Sequence, residues 1–460
     1  MNENAPTRSS FGAIGVAIVA VVVLVALVGG LHWLSRVGLP QAQAGKARVE
    51  VWAWNIAAMS LDALTGDFER QHPDIDVDVK TSGANMQSRF LLSMAAGEGV
   101  PEVSALQERE VQKYTGTGRL LDLSPMMARH AKDFVPAFLV SCVDDAGAIR
   151  AVPWDAGPCA VFYKKWIFDA YGLDPTTVET WDDYIALGKK LSERSGGRAK
   201  LLVLSTSALS DMVQILMQQN GGGLFDAKGR VILRRRANVE ALELIRRMLD
   251  ADIASPISTS PELFGSYNAD AVASYPGAVW LTFNIKSMSA DHAGKWGVIR
   301  LPAFRRGGLR TSNLGGSTLV VPAESPHAQQ GALFVEAALC DAEAQMKQYQ
   351  QFGLFPAYLP AHRLPQFDVP DPFFGGQHVN SLFAMDLDRL PPMARTRDWN
   401  DAERYLRQTL TQWADERLDS AAYLDECAHV LAKRLGRELA PEEGDSTPPD
   451  RPRGPVAVRP

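Results

Sequence analysis

The chain has 460 residues, 46% of them hydrophobic and 22% charged, with a formal net charge of −6. That apolar content supports a large core, and the length calls for more than one domain-sized unit. A mildly acidic chain whose strongest basic run is Arg234-Arg235-Arg236 lacks the basic stripe of a nucleic-acid binder, so no nucleic-acid partner is expected.

A short stub, residues 1–10, precedes an uncharged apolar run at 11–31. A single membrane-crossing helix takes about 20 such residues, so residues 11–34 read as a transmembrane anchor. A cleaved signal is the alternative, with Ala42-Gln43-Ala44 as a small-residue cleavage site, although a signal's apolar region is usually shorter, about 7–15 residues. Only Arg8 precedes the run, while Arg36, Lys46 and Arg48 follow it. Taken alone, that bias would leave the body in the cytoplasm. Residues 35–46 form a polar linker.

Regular structure begins at residue 48. Val49, Val51 and Ala53 alternate with Glu50, Trp52 and Trp54, the period of a strand. Leu61, Leu64 and Phe68 recur at helical spacing, and His72-Pro73 ends that helix because the residue before proline is pushed out of the helical region. Ile75, Val77 and Val79 form a second strand. Met86, Phe90 and Met94 mark a second helix, and residues 102–106 a third strand. This alternation predicts parallel strands joined by right-handed crossovers.

Further on, Thr180 with Asp183 three positions later reads as a capping box. Residues 201–204, 278–283 and 296–301 read as strands, and residues 239–253 as an amphipathic helix. Residues 327–351 and 400–435 read as helical, and residues 438–460, rich in Pro, Glu and Arg, as a disordered tail. Two α/β units in one chain imply two lobes. Small ligands of such folds sit beyond strand ends, where loops converge, and in clefts between domains.

Cys142, Cys159, Cys340 and Cys427 form no CxxC pair, and no Cys/His set has zinc spacing, so no metal or cofactor is expected. Cys142 and Cys159 flank a predicted hairpin and could pair in an oxidising compartment; four buried thiols is the other reading. The sequence has no GxSxG, HExxH, Walker or GxGxxG pattern to signal catalysis.

Several stretches, in order, resemble the extracellular solute-binding proteins of ABC importers, the carbohydrate-binding group. They are VWAWN at 51–55, DFERQHPDIDVDV at 67–79, GEGVPEV at 97–103 and GRLLDL at 118–123, then the long segment GAIRAVPWDAGPCAVFYKKWIFDAYGLD at 147–174, TVETWDDY at 177–184, WGVIRLPAF at 296–304 and NLGGSTLVVPAES at 313–325. Glu102 stands where the family usually has Asp, and Arg150-Ala151 replaces Tyr-Gly. The resemblance implies a two-lobed α/β fold of the periplasmic-binding-protein type II, with a hinge and an inter-lobe cleft. Residues 47–155 and 296–340 would form lobe 1, and residues 156–295 and 341–437 lobe 2. It also implies a non-enzymatic, monomeric receptor outside the membrane, with a carbohydrate ligand and ABC permease partners; on this ground it overrules the charge bias at the anchor. A glycan-processing enzyme and a sensor domain on the same scaffold are the rival readings.

A sugar offers apolar faces to aromatic rings and a rim of hydroxyls to Asp, Asn, Gln and Arg. Strand ends and glycine-rich turns that meet those needs make Asn55, Gln107, Glu108, Trp154, Asp155, Trp280, Gly315, Gly316 and Ser317 the candidate ligand contacts. Trp280 stands where the family often has a sugar-stacking aromatic. Phe355-Pro356 resembles a late loop near the cleft.

Overall fold

The computed structural model describes residues 45–441, except 84, 205, 256 and 258. The apolar segment 11–31, the candidate cleavage site at 42–44 and the tail beyond 441 lie outside the described residues. Among those described, no helix is long and apolar enough to cross a membrane.

Among the described residues, the chain from Arg48 to Pro441 folds as one unit around a mixed sheet ordered β2-β1-β3-β9-β4-β7, with β8 also on β4. The strands are β1 (Ala47–Ala53), β2 (Ile75–Thr81), β3 (Val103–Gln107), β4 (Ala151–Lys164), β7 (Ser274–Ala278), β8 (Trp296–Arg300) and β9 (Asn313–Val320). A separate parallel pair is β5 (Leu202–Val203) with β6 (Ala254–Ser255). The expected parallel geometry holds for β1 with β3. It fails further on, because β9 runs antiparallel to both β3 and β4, and β7 and β8 run antiparallel to β4.

Strand alternation on β4 divides the core. Val152, Trp154, Ala156, Ala160 and Phe162 share one core with Val49, Val51, Val103 and Leu319, so one face of the sheet is covered along its whole length. The other face is split. Ala151 joins Trp52, Phe90 and Val320 in one small core, whereas Cys159, Val161 and Tyr163 join a large core of helices that includes Trp181, Leu216, Ile245 and Trp399. Side chains two apart point the same way, so Asp155 lies on this split face, in the gap between the two cores.

Local signals set the helices. The helix Asn55–Gln71 buries Ala57, Ala58, Leu61, Leu64 and Phe68, and ends at His72. Thr180 and Asp183 form the predicted capping box, starting the helix Trp181–Ser195. The predicted helix 327–351 is two, Ala328–Leu339 and Ala342–Phe352, separated where Asp341 accepts from the Ala344 N–H as a new N-cap. The stretch 400–435 is likewise two helices, Trp399–Asp415 and Ser420–Leu435.

Four further expectations are corrected. β7 ends at Ala278 and residues 281–288 are helical, so 278–283 is not a strand. Residues 296–300 pair with the second half of β4, Ala160 to Lys164, and so belong with the second lobe. Residues 342–352 belong with the first: Gln348 Oε1 accepts from Ser60 Oγ at 3.0 Å and from Trp154 Nε1 at 2.7 Å. Finally, Glu438 to Ala440 are ordered, since the Val231 N–H donates to Glu438 O and the Ala440 N–H to Val231 O.

Three backbone passes join the halves: β4, β9 and the segment around Phe355, whose carbonyl accepts from the Ala156 N–H at 2.9 Å. All four cysteines are free, buried thiols. Cys142 and Cys159 belong to different cores on the split face, which removes the disulfide reading.

Candidate functional site

The gap between the two cores holds a small cavity lined by Glu108, Phe138, Pro153, Asp155, Gly315, Gly316, Ser317 and Thr318. Its volume, about 10 Å³, is that of a single water site. Four segments of chain build it, around Glu108, Phe138, Pro153–Asp155 and Gly315–Thr318. Against β9, the register of β4 shifts between Pro153 and Asp155 and again between Ala156 and Pro158. Such bulges bend a strand and re-aim a side chain. Here they flank Asp155.

The opposing turn depends on glycine. Gly315 and Gly316 have φ of +83° and +123°, which side chains disfavour. A Cβ on Gly157 would fall 2.0 Å from Leu314 O. Asn313 ties the pieces together: its Oδ1 accepts from the Gly157 N–H and its Nδ2 donates to Gly315 O, both at 2.8 Å.

Asp155 Oδ1 is shielded from solvent and has no hydrogen-bond partner. Burial pushes the carboxyl up to about 6, against the pull of the Ser317 hydroxyl and backbone. An acceptor left in this state costs free energy until a donor reaches it. Glu108 differs. It accepts from Arg395 Nε and Nη2, both at 3.1 Å, and from the Ser141 hydroxyl.

Of the nine expected contacts, Glu108, Asp155, Gly315, Gly316 and Ser317 line the cavity. Trp280 stands at its edge, 42% exposed, with Nε1 donating to Leu314 O at 3.3 Å. Gln107 pairs with Ser317 across the β3–β9 ladder, and its Oε1 accepts from Arg109 Nε, so it supports the wall without lining it. Asn55 is exposed at a helix start, with φ of +26°, and is not among the lining residues. Trp154 is corrected to a core residue, 1% exposed with its N–H already given to Gln348; it lies on the opposite face of β4 from Asp155. Phe355 is buried in the same core, so its part is structural.

Sequence reasoning missed Arg395, Asp211 and Glu403. Arg395 lies in an irregular segment without periodicity, and its guanidinium stacks 4.3 Å from the Trp399 ring. Burial pushes Asp211 up to about 6, helped by Glu403 and opposed by Arg109 and Arg407. Among the described residues no group of His, Cys, Asp and Glu could hold a metal ion.

The family profile of bacterial extracellular solute-binding proteins matches residues 56–345. The chain belongs to this family. The match covers β4, β9 and every residue lining the cavity, so the solute-binding protein carries its candidate site within the family's own segment. Among its relatives, an arabinooligosaccharide-binding protein of Bacillus subtilis (strain 168) is 25% identical over 324 residues, 68% of this chain and 74% of that one. A lactose-binding protein of Rhizobium radiobacter is 27% identical over 359 residues, 75% and 82% of the two chains. The sugar-binding protein MalE of Xanthomonas citri shares the fold with a TM-score of 0.74 at 20% identity, covering 85% of this chain and 98% of its own. The solute-binding protein therefore has the two-domain α/β fold of periplasmic binding proteins.

Proposed function

We propose that the protein is the extracytoplasmic receptor of an ABC importer, capturing a mono- or oligosaccharide between its two halves and delivering it to permease subunits. The observation that carries this reading is the shielded, unpartnered Asp155 Oδ1, facing a glycine turn that lets a ligand approach backbone closely. A sugar hydroxyl supplies the missing donor, and Trp280 at the rim offers a ring to an apolar sugar face. The named relatives that bind arabinooligosaccharides and lactose support that ligand class.

The receptor binds without converting its ligand. Glu108 is held by Arg395, which leaves Asp155 without a free second carboxylate for glycosidic acid–base work. The apolar segment 11–31 tethers the monomeric body on the outer side of the membrane and raises its effective concentration near the permease.

A thermal-shift screen of the full chain against lactose, arabino-oligosaccharides and common monosaccharides tests the reading. A true ligand at a hundred times its Kd stabilises the native state by about 2.7 kcal/mol. A flat response across the screen, or recovery of cleaved saccharide, contradicts it.

A further inference from the structure

The cavity at Asp155 is too small for a sugar ring, so a ligand reaches it only if the two halves separate. Three consecutive residues after β3 make polar contacts that resist separation. Glu108 takes two bonds from Arg395, Nδ2 of Asn400 donates to Glu110, and Arg109 lies 4.0 Å from Glu403. The two sides come from different halves: β3 supplies Leu106 to the small core of the first half, whereas Met393 and Trp399 sit in the helical core of the second. The Glu108–Arg395 pair is the most enclosed of these contacts, with side-chain exposures of 10% and 7%. Glu108 also lines the cavity.

We propose that Glu108 and Arg395 form an ion-pair gate over the binding cavity, holding the halves together and setting the balance between open and closed forms. The inference stands apart from the sugar reading, because it concerns the contact between halves whatever the ligand. A planar guanidinium presents two parallel N–H bonds to a carboxylate, so the pair fixes the relative position of the halves as well as attracting them. The ring of Trp399 backs the guanidinium and restricts its rotamers. Removing one partner leaves a buried charge uncompensated. Opening the cleft rehydrates that charge without unfolding either core, so the loss registers as a population shift toward the open form.

Double electron–electron resonance on the full chain tests this, with spin labels on cysteines placed at Leu92 and Val430. Both positions are exposed and lie on helices covering the split face, one in each half. Glu108→Gln and Arg395→Met should each move the distance distribution of the ligand-free protein to longer values. Arg395→Lys, which keeps the charge and loses the fork, should give a smaller shift and decides the matter if Arg395→Met fails to fold. Arg404→Met, whose partner Asp401 lies on its own helix, should change nothing. Unchanged distributions in the Glu108 and Arg395 variants, or an equal shift in Arg404→Met, overturn the gate.

Discussion

Asp155 and Trp154 are adjacent in sequence and opposite in consequence. Strand alternation buries Trp154 with Val152 and Ala156 and turns Asp155 to the gap. That parity was not legible in the sequence, since 151 and 153 are apolar as well as 152, 154 and 156. Trp154→Ala should destabilise the protein by about 3–5 kcal/mol, the range for buried aromatic truncations, seen as a lowered denaturant midpoint. Trp280→Ala should instead weaken saccharide affinity by about tenfold, on the order of 1.4 kcal/mol, and barely move the melting temperature, because its ring is half exposed. Calorimetric titration beside a thermal melt separates the two. Asp155 adds a pH signature. Its folded carboxyl titrates at about 6, raised from 3.8 by burial. Between those values the folded state holds a proton that the unfolded chain has lost. Asp155 thus favours folding below about pH 4, and that contribution is lost as pH rises to about 6. A ligand hydroxyl favours the carboxylate, so affinity should rise as pH climbs through about 6 and flatten in Asp155→Asn. An identical pH profile in the variant contradicts this. Arg395 was not legible: no local pattern marks a residue whose partner lies 287 positions away.

At the scale of elements, β4 carries both the fold and the candidate site. Its fourteen residues, Ala151–Lys164, cross from one half to the other, and the family resemblance in 147–174 made this stretch readable. The places where sequence reasoning failed are places where pairing decides. β8 reads as a strand from its own residues, but only its partners on β4 assign it to the second half. The helix Ala342–Phe352 reads as helical, but only the bonds at Gln348 assign it to the first. At the far end of β4, Lys164 is fully buried, its ammonium donating to Ser266 O at 2.5 Å and Ala269 O at 2.6 Å among the rings of Trp166, Tyr275 and Trp296. Burial lowers its titration to about 7, with Asp270 opposing. Between about pH 7 and 10 the unfolded chain holds a proton that the folded state has released, so this residue's contribution to stability rises with pH across that window and falls away as pH drops through 7. Lys164→Met should remove that rise in denaturant melts run from pH 7 to 9.5. If the wild type and variant keep parallel stability profiles, the ammonium is not desolvated as described.

At the scale of the whole molecule, the sheet is covered continuously on one face and interrupted on the other, and the interruption is the cleft. That division follows from the sequence only after the long-range pairing is known, because the two cores on the split face draw on segments as distant as Trp52 and Val320, or Val161 and Trp399. The proposed anchor belongs to this scale as well. If residues 11–31 are retained, the expressed chain should sediment with membranes and resist extraction by salt; release as a soluble protein starting at Gly45 would mean cleavage. The central claim is that the two halves capture a saccharide at Asp155. Isothermal titration of the full-length wild type and Asp155→Ala with the best saccharide from the thermal screen tests it most directly. The account predicts saturable binding of one ligand per chain, with the saccharide recovered intact, and a loss of at least about tenfold in affinity, on the order of 1.4 kcal/mol, in the variant. Equal affinity in wild type and Asp155→Ala would contradict it, since the ligand would then lie elsewhere.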